Sequence, residues 1–162
     1  MSKEVDPNFD PTEHHIKESR YFDDLLVGER FIIPSRTLGD GSFLAFQALS
    51  LDNHPIHYDV EYCKRAGHRD LLAHGLQVSA LCAPGAGNLP HELHDSLIGL
   101  LEHSAKFLKP VYRGDTVYPA LEIIELTPSK TTGVITLRAT VHNQNRQLVL
   151  EGSQKMLVRK RA

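Results

Sequence analysis

The sequence has no tryptophan and only two cysteines, Cys63 and Cys82, in 162 residues. Two thiols cannot form a disulfide framework for a chain of this size, so both read as packing residues in a reducing compartment. An excess of either charge is also missing. Eighteen Lys and Arg against twenty Asp and Glu leave a net charge of −2. That balance offers no electrostatic footing for nucleic acid or an anionic membrane. No apolar run approaches the ~20 residues of a membrane-spanning helix. The opening stretch, MSKEVDPNFDPTEHHIKESR, lacks the apolar core of a secretory signal, so a cytoplasmic protein is expected. Internal repeats and low-complexity segments are absent too. What remains is 41% hydrophobic and 23% charged. Such a chain buries a core of its own without metal or disulfide support.

The chain changes character along its length. Residues 1–20 are polar and read as an N-terminal arm, leaving 21–162 as one domain. RFIIPSRT (30–37) is short and β-prone, with Pro34 marking an edge or a bulge. Over 39–51 the period becomes helical, with Phe43, Phe46 and Leu49 on a broad apolar face and Asp40 or Ser42 as candidate caps. That helix must stop before Pro55. Residues 59–65 suit one or two further turns, ended by Gly67. LLAHGLQVSAL (71–81) is apolar around nearly its whole helical circumference, the pattern of a buried helix that Pro84 brings to an end. From residue 96 the period is two. Ile135, Leu137, Ala139 and Val141 alternate with polar neighbours, and Leu148, Leu150, Met156 and Val158 mark a last strand. A sheet with one apolar face needs a partner, and the apolar helix is the adequate one. The expected fold is therefore α+β: a single hot-dog domain, an antiparallel sheet wrapped around a central helix.

Asp52-Asn53-His54-Pro55-Ile56-His57 places a carboxylate and an imidazole five residues apart around a proline, and His74-Gly75 opens the apolar helix. Together with Phe107-Leu108-Lys109-Pro110-Val111-Tyr112-Arg113-Gly114-Asp115-Thr116, these segments resemble the MaoC-like dehydratases and (R)-specific enoyl-CoA hydratases. The resemblance covers roughly 21–159. It implies a hot-dog domain that dimerises and hydrates a 2-enoyl-CoA reversibly. Asp52 and His57 then correspond to the catalytic Asp and His, and Gly75 to the backbone donor of the helix start. The family usually carries Asn before this proline. Here Asn53 follows the aspartate and His54 precedes Pro55, a pairing similar to that of branched-chain hydroxyacyl-CoA dehydratases.

The chemistry explains why these residue types go together. Hydration needs a base for water, an acid for the α-carbon and a donor for the developing enolate. An Asp/His pair holding one water does the first two. The Gly75 N–H, unpaired at a helix start, serves the thioester oxygen, and the helix dipole favours negative charge there. Asn53 and His54, within the same loop, are candidates to touch the substrate. No cofactor and no metal are expected, because His54 and His57 lack a further ligand at metal spacing. His91-Glu92-Leu93-His94 lacks the spacing of the zinc-protease signature and reads as a solvated loop. His74 reads as a capping or orienting residue, and His103 as a structural one. The expected partners are an acyl-CoA substrate and a second copy of the chain, with no nucleic acid and no membrane. A hot-dog thioesterase shares the fold but has no need of the Asp52/His57 spacing. An acyl-thioester binding module has no need of an acid/base pair at all.

Overall fold

The alternating half of the chain folds as long antiparallel strands: β3 (Leu97–Phe107), β4 (Thr116–Pro128), β5 (Thr132–Asn143) and β6 (Leu148–Arg159). The structure is a computed structural model that describes residues 7, 8, 10, 12 and 18–161. Most of the arm expected over 1–20 thus lies outside the described residues. On β5, Ile135, Leu137, Ala139 and Val141 are buried on one face while Arg138 points outward. Each such aliphatic side chain removed from water contributes about 1.5–3 kcal/mol. Two short early strands, β1 (Arg30–Ile32) and β2 (Arg36–Thr37), both pair with β4, and the ladder breaks at Pro34, which has no N–H to donate. The strand order is β1-β4-β5-β6-β3, so β3 lies at an edge of the sheet. Register shifts in β3, β4 and β6 bend the sheet around the helices.

Helix α1 (Asp40–Ser50) starts at Gly39, and neither Asp40 nor Ser42 caps it with a side-chain acceptor. The Ser42 hydroxyl instead donates to the Gly39 carbonyl. Helix α2 (Val60–Arg65) is capped by Asp59, whose carboxylate accepts from the Tyr62 N–H. The chain turns out at Gly67 with a φ of +82°, a conformation that suits glycine. The central helix α3 (Gly75–Ala80) is shorter than the apolar run predicted. Its first residues are extended, because Leu72 bridges Tyr112 and the Ala73 N–H bonds the Val111 carbonyl. Gln77, Val78 and Ser79 face inward, whereas Leu76 is 69% exposed. The helix that looked apolar all round has one open side. The stretch expected as a solvated loop holds α4 (Leu89–Glu92). Buried Leu89 and Leu93 pin it, and the Glu92 carboxylate accepts from Arg20. Among the described residues, no helix is long and apolar enough to cross a membrane.

Candidate active site

The chain between α1 and α2 is built by local hydrogen bonds. Leu51 ends α1 in the left-handed region, with φ 59°. A non-glycine residue holds that conformation at a cost of about 1–2 kcal/mol. Asp52 follows at once, and its Oδ1 accepts from the His54 N–H. His54 Nδ1 in turn accepts from the Ile56 N–H, capping the 3-10 turn Pro55–His57. The His54 ring meets Tyr62 edge-on, 5.5 Å between centroids. Asn53 Oδ1 accepts from Gln47 of α1 at 2.9 Å. Asn53 and His54 thus each spend one polar atom bracing the loop that presents Asp52 and His57.

His57 is oriented by the backbone. Its Nδ1 lies 2.6 Å from the Leu72 carbonyl, which can only accept, so Nδ1 carries the hydrogen. The neutral ring therefore has its lone pair on Nε2. That atom faces Asp52 Oδ2 at 3.8 Å, too far for a direct hydrogen bond. His57 is nearly enclosed, with 11% of its side chain exposed, while the Asp52 side chain is 53% exposed. Burial is the largest influence on the His57 pKa and pushes it down, and His74 and His54 push the same way. The Leu72 carbonyl and the Asp52 carboxylate push it up, and the balance lies below the ordinary value of 6.5. At neutral pH the imidazole is uncharged and basic at Nε2.

His74 lies flat on His57, with centroids 3.6 Å apart and planes 20° apart. Its side chain does not cap α3. Instead Nε2–H donates to the Asp52 carbonyl at 3.2 Å, so His74 ties the start of the central helix to the loop that carries Asp52 and His57. Asp52, His57 and His74 offer donor atoms within 4.8 Å of one another. Stacked rings hold their in-plane lone pairs in two nearly parallel planes 3.6 Å apart, however, and lone pairs confined to separate parallel planes do not converge on a single ion. The trio is thus poorly arranged to share one ion.

Gly75 follows His74, and its N–H has no partner among the described residues. The space that a Cβ on Gly75 would fill belongs to Phe107, three of whose ring atoms would lie 3.1–3.2 Å from it. Gly75, Phe107, Val78 and Lys109 border a cavity of about 360 Å³.

A protein-family profile described as MaoC like domain matches residues 26–145. The chain belongs to the MaoC-like dehydratase family. This family member is 27% identical over 145 residues to an (R)-specific enoyl-CoA hydratase of Rhodospirillum rubrum, covering 85% of this chain and 91% of the relative. It is 26% identical over 148 residues to a mitochondrial 3-hydroxyacyl-[acyl-carrier-protein] dehydratase of Solanum lycopersicum, covering 87% and 82% of the two chains. A solved structure titled a monoamine oxidase regulatory protein, from Archaeoglobus fulgius, superposes with a TM-score of 0.80 at 26% identity, covering 92% of this chain and all of that one. A double-hotdog protein of Mycobacterium tuberculosis superposes at 0.75 with 26% identity over 88% of this MaoC-like chain and 45% of its own length.

Two members of this MaoC-like site escape sequence reasoning. The Leu72 carbonyl that orients His57 is backbone, and no side-chain pattern marks it. Phe107 falls within the resembling segment, but only folding brings its ring onto Gly75.

Proposed function

We propose that this MaoC-like protein catalyses the reversible addition of water to a 2-enoyl thioester. The observation that carries the proposal is the 3.8 Å gap between His57 Nε2 and Asp52 Oδ2, both of them acceptors. A water about 2.8 Å from each donates one hydrogen to either side and turns its lone pairs outward. His57 Nε2 takes a proton from that water as its oxygen bonds the β-carbon. The double-bond electrons move through the α-carbon towards the thioester oxygen, which the Gly75 N–H receives. The proton on His57 then passes to the α-carbon and restores the neutral ring. Asp52 orients the water and offsets the transient charge on the imidazolium. The edge strand β3 suits pairing with a second copy of the chain, making the functional unit a homodimer. The names of the relatives support the reaction class, and the acyl group is left to experiment. Incubation with straight and branched 2-enoyl-CoAs, following loss of the conjugated double bond and free thiol separately, is the test. Hydration without thiol release is expected. Thiol release alone would make the protein a thioesterase, and neither change across the panel would leave a binding module.

A further inference from the structure

Helix α1 leads into Asp52, yet little apolar packing holds it down. Of its described residues only Phe43 is buried, and Leu44 and Leu49 lie bare. Further along, Phe46 meets the His74 ring at 5.0 Å between centroids. The polar attachments gather at the first turn. The Ser42 carbonyl accepts from Gln77 Nε2 of α3 at 3.0 Å. Asp40 Oδ1 accepts from Arg113 Nη1 at 2.8 Å. Leu38, just ahead of the helix, donates its N–H to the Asp115 carbonyl and accepts from the Gly114 N–H. The segment around Arg113 thus grips the start of α1 by backbone and by side chain.

The second carboxylate on Arg113 belongs to the segment that orients His57. Arg113 Nη2 lies 2.8 Å from Asp70 Oδ1, which also accepts from the Leu71 N–H. The extended run 71–73 forms a short ladder with 111–113. The Ala73 N–H donates to the Val111 carbonyl, and the Arg113 N–H to the Leu71 carbonyl. The other edge of this run meets the loop of His57. There the Leu72 N–H donates to the Ile56 carbonyl, and the Leu72 carbonyl receives His57 Nδ1–H. One guanidinium therefore spans two carboxylates. One opens the helix that ends before Asp52, and the other opens the run that holds His57. Asp40 is 81% exposed, so its ion pair adds little to stability. A planar fork fixes the angle between its two partners, so what it supplies is geometry.

We infer that Arg113 is a positioning residue, holding the helix that aims Asp52 and the run that aims His57 in one fixed relation. This rests on the proposed roles of Asp52 and His57 in hydration. At 11 residues α1 is about 16 Å long, so a tilt released at Asp40 is carried to Asp52. A water shared across the 3.8 Å gap tolerates little displacement. A misplacement of about 1 Å costs up to about a hundredfold in rate. Lysine at this position keeps the charge but meets one carboxylate at a time.

The test measures kcat and KM with crotonyl-CoA and 2-hexenoyl-CoA. Arg113→Gln should lower kcat by about tenfold to a hundredfold and leave KM within about threefold. Arg113→Lys should recover part of the loss. Asp40→Asn, at an exposed position, should lower kcat with folding intact, and should add nothing in the Arg113→Gln background. Nitrogen-15 chemical shifts of His57, assigned by their loss in His57→Gln, read its tautomer apart from turnover. The wild-type ring should carry its hydrogen on Nδ1, and Arg113→Gln should move population to Nε2 as the Leu72 carbonyl slackens. Should Arg113→Gln not fold, Arg113→Lys and Asp40→Asn carry the same two readouts. An unmoved tautomer in the Arg113 variants, or wild-type kcat in Asp40→Asn, would overturn the assignment. If the wild type hydrates neither ester, the hydration chemistry falls and the tautomer decides alone. A shift then keeps Arg113 as the residue that orients His57, and an unmoved ring ends that role.

Discussion

His57 has one proton-accepting atom because Leu72 holds the other nitrogen. Changing it to Gln keeps the size of the side chain and removes the base. Asp52→Asn keeps the shape and removes the charge. Each should lower turnover by roughly two to four orders of magnitude with the fold intact, read by steady-state kinetics alongside circular dichroism. The pH dependence has a definite sign. The imidazole must be neutral to act, and its pKa is lowered from 6.5. Activity should therefore be present at neutral pH and fall as acid protonates His57, with the midpoint of kcat/KM below 6.5. His74→Ala would open the stack to water and remove a neighbour that pushes this pKa down. The acid limb should then move to higher pH, and a profile unchanged in that variant would show that the stack does not tune the base.

Among elements, the end of α1 and the β3–β6 ladder set the geometry of the site. Leu51 carries its left-handed backbone with the side chain 77% exposed. Glycine adopts that conformation freely, so Leu51→Gly should stabilise the protein by about 0.5–1 kcal/mol in urea unfolding. A loss of turnover in that variant would mean that the stiff residue helps to aim Asp52. Gly152 of β6 faces Ala105 of β3, and a Cβ there would overlap the Ser104 carbonyl oxygen. That atom belongs to the backbone and cannot swing aside. Gly152→Ala should thus cost about 1–3 kcal/mol, with amide exchange rising along β3 more than along β5.

For the molecule as a whole, the open edge matters most. Among the described residues strand β3 pairs only with β6, and Ile98, Leu100, Leu101 and Phe107 are each about half exposed on it. Leu76 of α3 lies bare as well. A long apolar edge of this kind invites pairing with another chain, and lysine is the side chain that best blocks it. Sedimentation at micromolar concentration should give a dimer for the wild type and a monomer for Leu101→Lys. A wild-type monomer would leave the edge for a different partner.

Period decided what the sequence could determine. Alternation over 134–141 and the apolar positions between 148 and 158 marked two strands, found at Thr132–Asn143 and Leu148–Arg159, Pro34 marked the break in the edge, and Pro55 bounded α1. The Asp52/His57 spacing was legible because it sits on one short loop, whose backbone bonds close within a few residues. The length of α3 was not legible. Leu71 and Ala73 look helical by hydrophobicity, yet a partner from residue 111 claims the Ala73 N–H. Burial of Leu89 and Leu93, which makes a helix of an apparent loop, likewise depends on what folds over them. Local hydrogen bonds and side-chain periodicity are written within a few residues of themselves. The stack of His74 on His57, the Phe107 ring over Gly75 and the open β3 edge are contacts across long chain separations, and only the folded chain fixes them.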